Sequence, residues 1–84
     1  MSCTDKIKSL ALRKGIKTKD ISGAYNMSYN SFNNKLRDCE TRFNLRDLVK
    51  YAEICDLKIV FVDKNNNIVE ELTNEDFIKK ENLT

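Results

Sequence analysis

The sequence predicts a mainly α protein with a C-terminal β-hairpin: four short helices followed by two antiparallel strands. Three observations carry that expectation. Before residue 56, apolar residues recur at helical spacing, i+3 or i+4, in four separate windows. Each window follows a Thr, Ser or Asn able to cap a helix. From residue 57 the period changes, and a run rich in β-branched and aromatic residues leads into a turn cluster.

Proline is absent and glycine occurs twice, so boundaries have to be read from caps and periodicity. In the first window Thr4 is the expected cap, with Asp5 in the first turn. Ile7, Leu10 and Ala11 form its stripe, and Gly15 suits the left-handed position that ends it. Thr18 is expected to cap a second, short helix carrying Ile21, Ala24 and Tyr25, and Asn26 can take the left-handed turn after it. Ser28 caps the third, in which Phe32, Lys35 and Leu36 repeat the spacing and Tyr29, Asn30, Asn33, Asn34 and Arg37 fall on the outer faces. Residues 38–43 read as a connection. Asn44 then caps a fourth helix through Leu45, Leu48, Val49 and Ala52, with Asp47 in its first turn. Leu57–Val62 reads as a strand, Asp63–Asn67 as a turn and Ile68–Leu72 as the return strand. Thr73 with Glu75 and Asp76 starts a last helical turn reaching Phe77 and Ile78, and 79–84 read as a frayed end.

Composition narrows the function classes. With 84 residues there is room for one modest core, and a domain this small gains from dimerising. No apolar run is long enough to span a membrane, and the N-terminus lacks the apolar stretch of a signal peptide; the expectation is a cytoplasmic protein. Histidine is absent, and no nucleophile–base pair, phosphate loop or metal-ligand spacing is visible, so neither an enzyme nor a cofactor, metal or small-molecule substrate is expected. The three cysteines form neither a zinc frame nor a disulfide scaffold. Cys55 reads as a small core residue and Cys39 as a half-exposed thiol.

The net charge of +2 is unevenly spread. Residues 1–56 carry 11 Lys/Arg against 7 Asp/Glu, and residues 57–84 carry 4 against 6. Basic residues gather at Arg13, Lys14, Lys17 and Lys19, and again at Lys35, Arg37, Arg42 and Arg46. Such runs are also what a solvated face looks like, so charge alone decides nothing.

The segment Thr18–Arg37 is more specific. A helix-turn-helix needs a short first helix with a small residue at the crossing and a turn tolerant of positive φ. Its second helix must be anchored below and polar above, so that it can enter a major groove. Ser22 and Ala24 supply the small residues, and Ile21, Tyr25 and Met27 the inward ones around Asn26. Asp20-Ile21-Ser22-Gly23-Ala24-Tyr25-Asn26-Met27-Ser28 and Asn34-Lys35-Leu36 resemble the lambda-repressor-like helix-turn-helix family, of the Xre/Cro type found in phages and mobile elements. The resemblance extends to Phe43–Leu48 and covers roughly residues 4–56. It departs from the family at Asn26, where glycine is usual, and at Thr18, where glutamine is common.

The resemblance implies a phage-type repressor that binds a double-stranded DNA operator, usually as a homodimer. Base contacts would come from Tyr29, Asn30, Asn33 and Asn34, since asparagine can pair bidentately with adenine. Backbone contacts would come from Thr18, Lys19, Ser28, Lys35, Arg37, Arg42 and Asn44, with the N-termini of the second and fourth helices. The chain then divides into a DNA-binding domain (1–56), a dimerising hairpin (57–72) and a tail (73–84). Leu57, Ile59 and Phe61 alternate with Val60 and Val62, making a strand apolar on both faces and the expected dimer interface. The alternatives are a hairpin that only packs on its own helices, and an antitoxin using the same fold.

Overall fold

A computed structural model of the chain describes residues 2–77. The protein is mainly helical, with a two-stranded antiparallel hairpin at the C-terminal end. Its helices are α1 (Cys3–Arg13), α2 (Thr18–Ala24), α3 (Tyr29–Arg37), α4 (Cys39–Arg42) and α5 (Leu45–Ile54). Strands β1 (Ile59–Val62) and β2 (Ile68–Leu72) precede a 3₁₀ turn at Asn74–Asp76. The last turn starts where the sequence puts it but stops at Asp76, with Phe77 already extended; Ile78 and the expected frayed end at 79–84 lie outside the described residues.

Helix starts follow side-chain capping, with two corrections. Asp5 N–H donates to Ser2 Oγ at 3.1 Å while Ser2 N–H donates to Asp5 Oδ2 at 3.4 Å, a capping box that starts α1 two residues before the expected Thr4. Thr4 lies within the first turn instead. Likewise Lys17, not Thr18, holds the cap position of α2, and no side chain bonds there. Ser28 and Asn44 cap α3 and α5 as expected: each accepts from the backbone three residues on, Ser31 and Asp47. The expected connection at 38–43 contains the single turn α4.

Helix ends share one device. After α1, α2 and α5 the chain takes a left-handed residue, Gly15 (φ 69°), Asn26 (φ 56°) and Asp56 (φ 57°). In each case the next N–H bonds back five residues: Ile16 to the Ala11 carbonyl, Met27 to Ser22 and Leu57 to Ala52, at 2.8–3.1 Å. Ile16, Met27 and Leu57 all pack against the core, so each helix stop also inserts an apolar side chain.

The core is built from Ile7, Ala11, Ile21, Phe32, Leu36, Cys39, Tyr51 and Cys55, with Phe43, Leu48 and Tyr25 packed against it. Tyr25 and Phe32 rings lie 4.8 Å apart, and Phe43 stands 6.1–6.3 Å from Tyr25, Phe32 and Tyr51. Cys55 is the expected core residue. Cys39 is also buried, against its expected half-exposure, because α4 turns its first residue inward. Ala24 departs the other way: it is exposed, and Ser22 is the small residue that is buried, its hydroxyl donating to the Lys19 carbonyl at 2.7 Å.

β1 and β2 pair with Ile59 opposite Leu72, Val60 opposite Glu71, Phe61 opposite Glu70 and Val62 opposite Ile68, with a bulge after Phe61. The strand begins at Ile59, not Leu57, since residues 55–57 are used in the stop of α5. Asp63 organises the turn, its Oδ1 accepting from the N–H groups of Asn65 and Asn67 at 2.8 and 3.0 Å; these bonds hold its carboxyl below the ordinary range. Packing on the protein's own helices is confined to the hairpin's base, where Leu57, Ile59 and Leu72 are half-buried. Farther out Phe61, Val62, Ile68 and Val69 are 53–68% exposed.

Candidate nucleic-acid interface

α3 is a helix of two unlike sides. Phe32 and Leu36 are completely buried, which fixes the helix's rotation against the core. Tyr29, Asn30, Asn34 and Arg37 are exposed and Asn33 is half-buried, so i, i+1, i+4, i+5 and i+8 form one continuous polar stripe. The helix is positioned by its Ser28 cap and by the left-handed Asn26 that separates it from α2.

Beside this stripe, an open depression of about 600 Å³ lies between α1, the start of α2 and α3. It brings together four of the expected contact residues, Thr18, Lys19, Tyr29 and Asn33, and adds Lys8 and Lys17. Its lining holds three lysines and no carboxylate. Sequence reasoning missed Lys8, although its place one turn before Leu12 on α1 was open to a helical-wheel reading.

Other expected contacts are engaged elsewhere. The Lys35 ammonium lies 3.0 Å from Asp47 Oδ2 and 5.8 Å from the centre of the Phe43 ring, which removes it from the set of open cations. The reason was in its spacing: Lys35 stands three residues after Phe32, on the buried stripe, and its long stem carries the charge out to a partner. Asn44 gives its side-chain oxygen to the Asp47 N–H at 2.7 Å, and Asp47 Oδ2 accepts the Asn44 N–H at 3.1 Å. The start of α5 thus already carries a carboxylate, which disfavours a phosphate there. Ser28 Oγ is likewise used as a cap. Arg37 Nη2 donates to Asn34 Oδ1 at 2.9 Å, holding that amide on the stripe, and Arg42 makes a loose, exposed pair with Asp38 at 3.9 Å.

A rigid seam supports the site from below. The Tyr25 hydroxyl donates to the Asp47 carbonyl at 2.7 Å, joining the end of α2 to α5. Burial and the neighbouring Asp47 push the Tyr25 phenol well above its ordinary value, and burial pushes Tyr51 up to about 12. Both stay protonated at physiological pH. Among the described residues no group of His, Cys, Asp or Glu is arranged to hold a metal ion, and no helix is long and apolar enough to cross a membrane.

Comparison with models of protein families, with curated proteins and with solved structures finds no match to this chain.

Proposed function

We propose that this protein is a sequence-specific DNA-binding transcriptional regulator, a phage-type repressor in mode, that lays α3 in the major groove. The observation that carries the reading is the two-sided character of α3 beside a carboxylate-free lysine depression. A helix anchored by Phe32 and Leu36 cannot turn, so its amides are presented in fixed positions, which base reading requires. Tyr29, Asn30, Asn33 and Asn34 are the reading residues, and Arg37 orients Asn34. Thr18 and Lys19, with Lys8 and Lys17, meet phosphates; Lys35 and Asn44 serve the fold. The likeness of residues 20–28 and 34–36 to lambda-repressor-like helix-turn-helix proteins supports the same reading.

One such unit has a small footprint, and a pair of copies on two half-sites is the ordinary solution. The apolar outer part of the hairpin, around Val60, Phe61 and Val62, is the surface through which two copies would join. The same exposed surface favours one second reading, an antitoxin that covers a toxin with its hairpin.

Selection of bound duplexes from a random DNA pool, followed by mobility shift against the recovered sequence, tests the function. The expected result is a two-fold symmetric consensus bound far more tightly than random DNA. Binding that shows no sequence preference would overturn the regulator reading.

A further inference from the structure

Cys3 and Cys39 lie 36 residues apart in sequence, yet their Sγ atoms are 3.7 Å apart. Cys3 opens α1 and is exposed; Cys39 opens α4, immediately after α3, and is buried. The surrounding seam is already fixed. The Thr4 hydroxyl lies 3.1 Å from both the Leu36 and Arg37 carbonyls at the end of α3, and 3.5 Å from Cys39 Sγ. The third cysteine, Cys55, is fully buried.

We infer that Cys3 and Cys39 are a disulfide-forming pair, a modification site through which a small-molecule disulfide of the glutathione type clamps the start of α1 to the start of α4. A bond needs the sulfurs to close from 3.7 Å to about 2.05 Å, a shift of about 1.6 Å. The exposed Cys3 side chain can supply that movement by rotating, while the first turn of α1 stays bonded and Cys39 stays in the core. The Cys3 thiolate attacks one sulfur of the reagent, forming a mixed disulfide and releasing one reagent thiolate. The Cys39 thiolate, its proton lost to solvent, then attacks the Cys3 sulfur, forming the Cys3–Cys39 bond and expelling the second reagent thiolate. The protein loses two protons and two electrons, and the reagent is reduced to two thiols.

The geometry assigns the order of attack, since only Cys3 is reachable from solvent. Its thiol is pushed above its ordinary value by the bond with Cys39, by local burial and by the Cys39 and Glu40 charges, with Lys6 opposing. Less of it is thiolate, so the pair reacts slowly with the reagent. The ring so closed runs from residue 3 to residue 39 and contains α1, α2 and α3, so oxidation stabilises the unit by restricting its unfolded chain.

The test is incubation of the full chain with glutathione disulfide, followed by intact mass, peptide mapping and thermal melting. The expected product is an intramolecular Cys3–Cys39 bond, seen as loss of two hydrogen masses with Cys55 still a free thiol. Its melting temperature should rise by at least about 5 °C and return on reduction. Cys3→Ser, a change at an exposed position, should melt alike with and without the reagent. A Cys3–glutathione adduct that does not resolve, a Cys3–Cys3 link between chains, or no reaction at all overturns the assignment.

Discussion

The Lys35 ammonium and the Asp47 carboxylate meet at 3.0 Å with 23% and 17% of their side chains exposed, which ties the asparagine-bearing helix to α5. Asp47 is where three other bonds converge: it caps α5 with Asn44 in both directions, and its carbonyl accepts the Tyr25 hydroxyl. α2, α3 and α5 are thus all referred to one residue.

Removing that convergence should be costly. Asp47→Ala loses half a capping box and leaves a half-buried ammonium unpaired, a loss of about 2–4 kcal/mol. Asn44→Ala, which removes one cap only, should cost about 1 kcal/mol. Urea unfolding measures both; equal small losses would mean that Asp47 is not a hub.

Base reading is tested at Asn33, which is both on the stripe and in the depression. Asn33→Ala should weaken binding to the selected operator by about 1–3 kcal/mol and binding to random duplex far less. Equal losses on both DNAs would remove it from the reading residues.

Phosphate contact has a different signature. Lys19→Ala should weaken binding to every sequence and lower the salt slope by about one unit. Lys35→Ala should leave that slope unchanged and lower stability instead, because its charge is already neutralised by Asp47. A reduced slope for Lys35→Ala would show that the ion pair opens on DNA.

The exposed hairpin predicts assembly. Sedimentation of the wild type over a range of concentrations should show a monomer–dimer equilibrium, and Phe61→Glu should shift it to monomer. Phe61 is 56% exposed, so the charge costs the isolated chain little. Monomeric behaviour of both proteins would sink the dimer.

Alkaline pH should unfold the protein early. Burial raises the Tyr51 phenol from its ordinary 10.0 to about 12, and Tyr25 moves the same way. Above pH 10 the folded chain therefore holds more protons than the unfolded one, and stability falls as pH rises toward 12. The raised Cys3 and Cys55 thiols act in the same sense at lower pH, so urea midpoints should begin to fall near pH 9 and fall further toward 12; Tyr51→Phe should lessen the fall above pH 10. An unchanged wild-type midpoint at pH 11 would contradict the burial argument.

Much of the architecture was legible because periodicity is a local signal. The stripes Ile7–Ala11, Phe32–Leu36 and Leu48–Ala52, the caps Ser28 and Asn44 and the change of period at residue 57 all act within a few residues; Leu45, expected on the last stripe, is 55% exposed at the first turn of α5. What the sequence hid was relational. Lys35 looked like a free cation because its partner Asp47 stands twelve residues away on another helix. Cys39 looked half-exposed because a single turn, α4, is too short to leave a period. Ala24 looked inward because it shares a helical face with Ile21 and Tyr25, yet it is exposed at the last residue of a seven-residue helix, while Ser22 is buried. The stripe of α3 was readable; the lysine depression was not, since it needs α1 beside α3.

The left-handed helix stops carry a further meaning. Two of the three, Asn26 and Asp56, are made without glycine, as is the Asn66 turn of the hairpin, and the chain holds only two glycines in all. A glycine at any of these positions would ease the folded backbone, but it would also give the denatured chain more conformations to lose. Side chains that tolerate the left-handed region narrow that ensemble beforehand. Part of what holds this small protein together therefore lies in the poverty of its unfolded state, where no contact in the native structure can reveal it.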